Sequence, residues 1–162
     1  MVTNAPNKAF NIAGLQTSYI VATNAGYRQR IDRAINDNEV CDLNCFSFVA
    51  LEAAYSAEGE AWLDELVPYI FENYELFRKM VHTELPHVPI APLEGTYLAW
   101  MDVSAVTTDA DALAARIKEE EKVWVNGSGM YGGKGFLRVN LAAPRTLIEE
   151  GTRRIIRGVK SH

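Results

Sequence analysis

At 162 residues, 48% of them hydrophobic, the chain is long enough to bury a core and reads as one globular domain or two small ones, not as a disordered segment. A formal net charge of -5 and an isoelectric point near 5.2 leave no electrostatic footprint for nucleic acid, and no run approaches the roughly 18 apolar residues that spanning a bilayer requires. No basic segment followed by an apolar run stands at the N-terminus, and Cys41 and Cys45 lack a nearby histidine or second cysteine pair. The expectation is a cytoplasmic chain with reduced thiols and no metal site, binding neither nucleic acid nor membrane.

In chain order, Leu15, Thr17, Tyr19 and Val21 alternate with Gln16, Ser18 and Ile20 and predict a strand over 16–22. Asn24 is placed to cap a helix with Tyr27, Ile31, Ala34 and Ile35 at helical spacing, ending near 36–38, and a shorter helix is expected over 46–55. From 59 to 85 the residues Trp62, Leu66, Ile70, Tyr74, Phe77, Val81 and Leu85 recur every three or four positions, the pattern of a long amphipathic helix. Pro68 inside it has no N–H and a ring that clashes with the preceding turn, which predicts a kink or a fresh start there.

Pro86 and Pro89 end that helix. A strand over 96–102 carries Tyr97 and Trp100, and Thr108 with Asp111 three residues on opens a helix whose buried side holds Leu113 and Ile117. Val123-Trp124-Val125 predicts a short strand and 136–141 another, before a last helix with Pro144 in its first turn and Leu147, Ile148, Ile155 and Ile156 on its apolar side. Together these elements predict an α+β fold, helices packed on a small sheet.

Two residues point to chemistry. Lys8 sits between a Pro-Asn turn and the apolar run Ala9 to Leu15; partial desolvation there disfavours the ammonium, and a neutral amine attacks carbonyls to form a Schiff base. The alternative is a solvated surface lysine. Arg138 lies mid-strand, where the period of two puts Leu137, Val139 and Leu141 on one face and Phe136, Arg138 and Asn140 on the other. Its planar fork suits a carboxylate through two parallel hydrogen bonds, the alternatives being an exposed sheet face or a structural ion pair. Gly127-Ser128-Gly129-Met130-Tyr131-Gly132 fits the dinucleotide pattern G-x-G-x-x-G but leads into a strand, whereas that fingerprint must open a helix. It reads as a mobile glycine loop. His82 and His87 flank Pro86 without a nucleophile and have no catalytic role.

The string Asn7-Lys8-Ala9-Phe10-Asn11-Ile12-Ala13-Gly14-Leu15-Gln16-Thr17-Ser18-Tyr19 resembles the lysine motif of fold-type I pyridoxal-phosphate (PLP) enzymes, the class I/II aminotransferase superfamily, and within it the cystathionine β-lyase (C–S lyase) branch. Gly135-Phe136-Leu137-Arg138-Val139-Asn140-Leu141 resembles the same family's carboxylate-binding motif. The resemblance implies that Lys8 carries the cofactor, that Arg138 holds the α-carboxylate of an amino-acid substrate, that Tyr131 touches substrate at the site's mouth, and that Gly95, in Glu94-Gly95-Thr96-Tyr97, leaves room for it. Without the resemblance, Tyr131 lies on a plain turn between strands and Gly95 is an ordinary turn glycine. Ala5 and Gln16 stand where many relatives carry a phosphate-contacting serine and an arginine, and the glutamine suits the lyase branch better.

On this reading residues 1–57 are a remnant of the large cofactor domain, 58–85 the interdomain helix and 86–162 the small C-terminal domain. The freed lysine amine removes the Cα proton; loss of a sulfur group from Cβ then makes the enzyme a lyase, and reprotonation at the cofactor carbon makes it an aminotransferase. The family's phosphate-cradling turn, its ring-stacking aromatic and the aspartate on the ring nitrogen all precede this lysine. The expectation is therefore a C-terminal fragment, catalytically incompetent alone, that forms a homo-oligomer or associates with the missing N-terminal segment. The alternative is a non-catalytic folded module. Residues 8–55, deprived of their parent sheet, are expected to pair with a neighbouring copy or pack irregularly.

Overall fold

A computed structural model describes all of residues 1–162, and its contacts divide the chain into two units, Met1–Leu66 and Val67–His162. In the first, β1 (Val2–Asn4) pairs antiparallel with β2 (Tyr19–Val21), Val2 facing Val21 and Asn4 facing Tyr19. The strand expected over 16–22 is shortened to three residues at its N-terminal side. Gln16 takes a left-handed conformation at φ 52°, and Thr17 is buried, its Oγ1 lying 2.6 Å from Ser47 Oγ. Helix α1 (Ala25–Asp37) begins as expected: the Asn24 side chain accepts a hydrogen bond from Tyr27 N at 3.0 Å, satisfying one of the free donors of the first turn.

The helix expected over 46–55 is α2 (Ser47–Ala54). Its apolar residues surround the axis instead of forming a stripe, and Phe46 at its cap, Phe48 and Val49 are 63%, 66% and 67% exposed. In α2 only Ser47 and Ala54 are buried and in α1 no residue is, and the hydrophobic core cluster includes no residue of this unit. Cys41 and Cys45 are exposed free thiols in the irregular stretch before α2.

Helix α3 (Ala57–Glu84) runs through Pro68 without ending or restarting, contrary to a fresh start at the proline. Pro68 is on the exposed side, and Ile70, Tyr74, Phe77 and Val81, spaced four, three and four apart, supply the buried stripe that holds the following turns in place.

In the second unit the sheet order is β3 (Leu98–Asp102), β5 (Phe136–Asn140), β4 (Asn126–Gly127), all antiparallel. Ala99, Met101, Leu137, Val139 and Leu141 point to one face and are 0 to 7% exposed. Over them pack Phe77 and Val81 of α3, Leu113 and Ile117 of α4 (Ala110–Glu121), and Ile148, Ile155 and Ile156 of α5 (Arg145–Lys160). The result is the two-layer α+β arrangement.

Helix α4 starts later than Thr108 suggests: Asp109 is the cap, its carboxylate accepting from Ala112 N at 2.9 Å, while Thr107 Oγ1 accepts from Asp109 N. The strand expected over Val123-Trp124-Val125 is displaced to Asn126–Gly127. Val125 enters the core and Trp124 is 77% exposed, but pairing with β5 begins only where Asn126 meets Arg138. Arg116 of α4 donates to the carbonyls of Gly158 and Ser161, closing the C-terminal end of α5. No helix is long and apolar enough to cross a membrane.

Candidate functional site

Because Leu137 and Val139 face the core, Arg138 must leave the sheet on the other side, together with Phe136. The pairing register sets its neighbours: Trp100 of β3 lies directly opposite on one side and Asn126 of β4 on the other, a row across all three strands. Tyr131 comes to the same place from the glycine loop. It ends a short 3₁₀ turn over Gly129–Tyr131, and its ring centroid lies 4.3 Å from Arg138 Cζ, a cation–π contact. Trp100 meets Tyr131 edge-on at 5.6 Å and 89°, and Phe136 at 6.3 Å and 81°.

Within this frame Arg138 has no acidic partner, which removes the ion-pair alternative. Its Nε is buried and makes no hydrogen bond. The shielded Nε costs about 1–3 kcal/mol, and the terminal nitrogens of the fork, which are in no hydrogen bond or ion pair, are left to donate to an anionic guest.

The loop that brings Tyr131 here depends on its glycines and on Ser128. Ser128 O accepts from Tyr131 N and Gly133 N, and Ser128 Oγ accepts from Phe136 N. Gly132 and Gly135, at φ 75° and 77°, turn the chain back into β5. As expected from its context, the G-x-G-x-x-G string opens no helix for a dinucleotide. Gly95 is exposed, and a Cβ built on it would meet no atom within 4 Å, so the room it leaves opens onto nothing the unit itself supplies.

Lys8 lies in the first unit, in a turn closed by Phe10 N to Pro6 O and Ile12 N to Asn7 O, both 3.0 Å, with Asn11 left-handed at φ 53°. The partial desolvation expected of it is not present: Lys8 is exposed, and the nearby Phe10 stacks on Trp62 at 5.6 Å. The amine is in no hydrogen bond or ion pair, and the adjacent Asn7 Oδ1 is buried without a partner. A primary amine engaged in no other bond is the group that condenses with the aldehyde of PLP. The flanking Ala5 and Gln16 offer no charge to its phosphate. No three His, Cys, Asp or Glu side chains converge to hold a metal.

Sequence reasoning identified Arg138 and Tyr131, which the structure brings together, but missed Trp100 and Asn126. Trp100 alternates in phase with β3, whereas β4 is too short to show a period, and only the cross-strand register places the two beside Arg138.

Residues 1–155 match the family model of aminotransferases of class I and II. Cystathionine beta-lyase PatB of Bacillus subtilis (strain 168) is 38% identical over 153 residues, which make up 93% of this chain and 39% of PatB. Among solved structures, a PLP-bound protein of Clostridium difficile 630 superposes with a TM-score of 0.90 at 36% identity, over 97% of this chain and 41% of that one. Cystalysin of Treponema denticola, which contains a pyridoxal 5'-phosphate cofactor, gives a TM-score of 0.88 at 29% identity, over 98% of this chain and 41% of its own. The chain thus spans about two fifths of the length of the relatives it matches. With the family model covering nearly every residue from β1 to α5 and the arginine strand and lysine turn both inside the match, the chain belongs to the class I and II aminotransferase family.

Proposed function

We propose that these 162 residues are the C-terminal part of a PLP-dependent aminotransferase or C–S lyase acting on amino acids, and that taken alone they do not turn substrate over. The observation that carries this reading is Arg138, a half-buried guanidinium without an acidic partner, one face covered by Tyr131 and its Nε unused. Such a fork suits a planar anion, and in a protein of this family the α-carboxylate of an amino acid is the anion it would take. Similarity to PatB and the neutral Gln16 favour the C–S lyase reaction.

The division of labour follows from the chemistry of each group. PLP held at Lys8 supplies a ring that withdraws electrons from a substrate Cα and acidifies its proton. Arg138 fixes the carboxylate through its fork and so orients the Cα–H bond, and Tyr131 keeps water from one face of the guanidinium. Lys8 Nζ, once free, would take up the Cα proton, which in the lyase reaction would leave with the departing sulfur group.

Residues 1–57 then belong to the cofactor domain, 58–85 to the interdomain helix and 86–162 to the small domain. The exposed Phe48 and Val49 of α2 suit burial against the remainder of the protein or a second copy, and a cytoplasmic homo-oligomer goes with this reading. The phosphate-holding groups lie in the remaining part, which is why the 162 residues alone are inactive.

Incubation with PLP, borohydride reduction and peptide mapping tests this. Substoichiometric labelling without cystathionine turnover is expected, and co-expression with the rest of a relative's cofactor domain restores cofactor absorbance. Stoichiometric, selective labelling of Lys8 with turnover by these residues alone overturns the claim of inactivity. Co-expression that restores nothing points instead to a non-catalytic module.

A further inference from the structure

Little holds the Tyr131 ring against Arg138. Its backbone lies in a single 3₁₀ turn among Gly129, Gly132 and Gly133, fixed by Tyr131 N and Gly133 N donating to Ser128 O, but the side chain is free to change rotamer. The residue is 40% exposed, and its hydroxyl is in no hydrogen bond. What touches the ring is Arg138 on its face, at 4.3 Å, and Trp100 at its edge, at 5.6 Å and 89°. Trp100 is the better fixed of the pair. It belongs to a regular strand, is paired in register with Arg138, and has a second edge-on contact with Phe136 at 6.3 Å.

We propose that Trp100 is a positioning residue for carboxylate recognition: it holds the Tyr131 ring flat against the Arg138 guanidinium, which closes one face of the fork and shields Nε from water. This rests on the reading of Arg138 as the carboxylate binder. With one face closed, a carboxylate approaches in the plane of the fork, the geometry in which two parallel N–H bonds form. With Trp100 absent, the Tyr131 side chain rotates away from the guanidinium. The fork then hydrates, and an anion meets it in many orientations instead of one.

The Nε–H proton of Arg138 reads this directly. In ¹⁵N-labelled protein its signal is assigned by its disappearance in Arg138→Lys, and its rate of exchange with water and its ring-current shift are measured. In the unmodified chain the proton exchanges slowly and is shifted by Tyr131. Trp100→Leu abolishes the shift and speeds exchange by up to about tenfold, the population change that loss of one edge-on aromatic contact can produce. Trp100→Phe, which restores an aromatic edge, recovers both. Tyr131→Leu on its own has the effect of Trp100→Leu, and the double variant goes no further than either.

The proposal fails if Trp100→Leu leaves exchange and shift unaltered, if the two substitutions add, or if Tyr131→Leu keeps the proton slow; the last arm decides even where Trp100→Leu does not fold. Titration with acetate separates the underlying reading. A signal that acetate moves supports Arg138 as a carboxylate binder, whereas one that acetate leaves in place overturns that role, and the exchange data still decide the part played by Trp100.

Discussion

Asn73, fully buried in α3, donates its side-chain amide to two carbonyls at once, Leu141 O at 3.1 Å and Ala143 O at 3.0 Å. These are the carbonyls that follow β5, so a residue 65 positions before Arg138 in the chain fixes where the arginine strand ends. Removing the amide strands one buried acceptor, Leu141 O, and one partly buried, Ala143 O. Asn73→Ala is expected to destabilise the second unit by about 3 kcal/mol, from the cost of the unpaired carbonyls. Urea unfolding measures it; a loss of about 1 kcal/mol or less would mean that water takes over both carbonyls.

How much of this was readable beforehand depends on the range over which each feature is determined. Asn24 announces α1 because a cap acts over one turn, and Ile70, Tyr74, Phe77 and Val81 announce α3 strongly enough to override Pro68. The alternation of Leu137, Val139 and Leu141 likewise fixes which way Arg138 faces. Three-residue β1 and two-residue β4 are too short to carry a period, which is why Val123 to Val125 looked like the strand when its pairing starts one residue later. The surroundings of Arg138 depend on register, and the exposure of Lys8 depends on what packs over its turn. Neither is a local property of the residues that name the family.

The Asp111 carboxylate occupies the space that a Cβ on Gly127 or Gly129 would need, which ties the first turn of α4 to the loop carrying Tyr131. Gly129→Ala is expected to cost about 1–3 kcal/mol as an overpacked contact. Asp111→Ala in the same chain removes the obstacle, and most of that loss is recovered. A double-mutant cycle with a coupling below about 0.5 kcal/mol would show that the loop relaxes around the new methyl on its own.

Lys122 closes α4 at φ 57° and ψ 35°, a left-handed conformation that crowds its Cβ against the following carbonyl. Glycine adopts it freely. Lys122→Gly should therefore stabilise by about 0.5 kcal/mol or more despite the extra freedom of the unfolded chain. A calorimetric Tm higher by roughly 1–3 °C is the expected result, and a lower Tm would mean that the lysine side chain contributes more than its strain costs.

In α5 the Arg154 guanidinium donates to Glu150 Oε1 at 2.7 Å, and this hydrogen bond, aided by the charges of Arg154, Arg157 and Arg153, holds the Glu150 carboxyl below its ordinary value of 4.5. A carboxylate whose folded pKa is lowered contributes stability above its ordinary pKa and loses it as pH falls through the lowered value. The stability difference between the unmodified chain and Glu150→Gln should then be present at neutral pH and disappear in acid, and it should shrink in high salt because the pair is open to solvent on one side. A difference that stays constant from neutral pH into acid would place the effect in helix propensity instead.

Arg138→Lys retains the positive charge and discards the planar fork. If Arg138 binds the substrate carboxylate, the completed enzyme should lose the second of two parallel hydrogen bonds, about 1.5–3 kcal/mol for a charged pair, seen as a roughly 10- to 100-fold fall in kcat/KM for amino acids. The cation–π contact with Tyr131 weakens in the same variant, because an ammonium cannot lie flat on a ring as a guanidinium does. A variant with unchanged kcat/KM would assign the carboxylate to another cation and leave Arg138 as a structural partner of Tyr131.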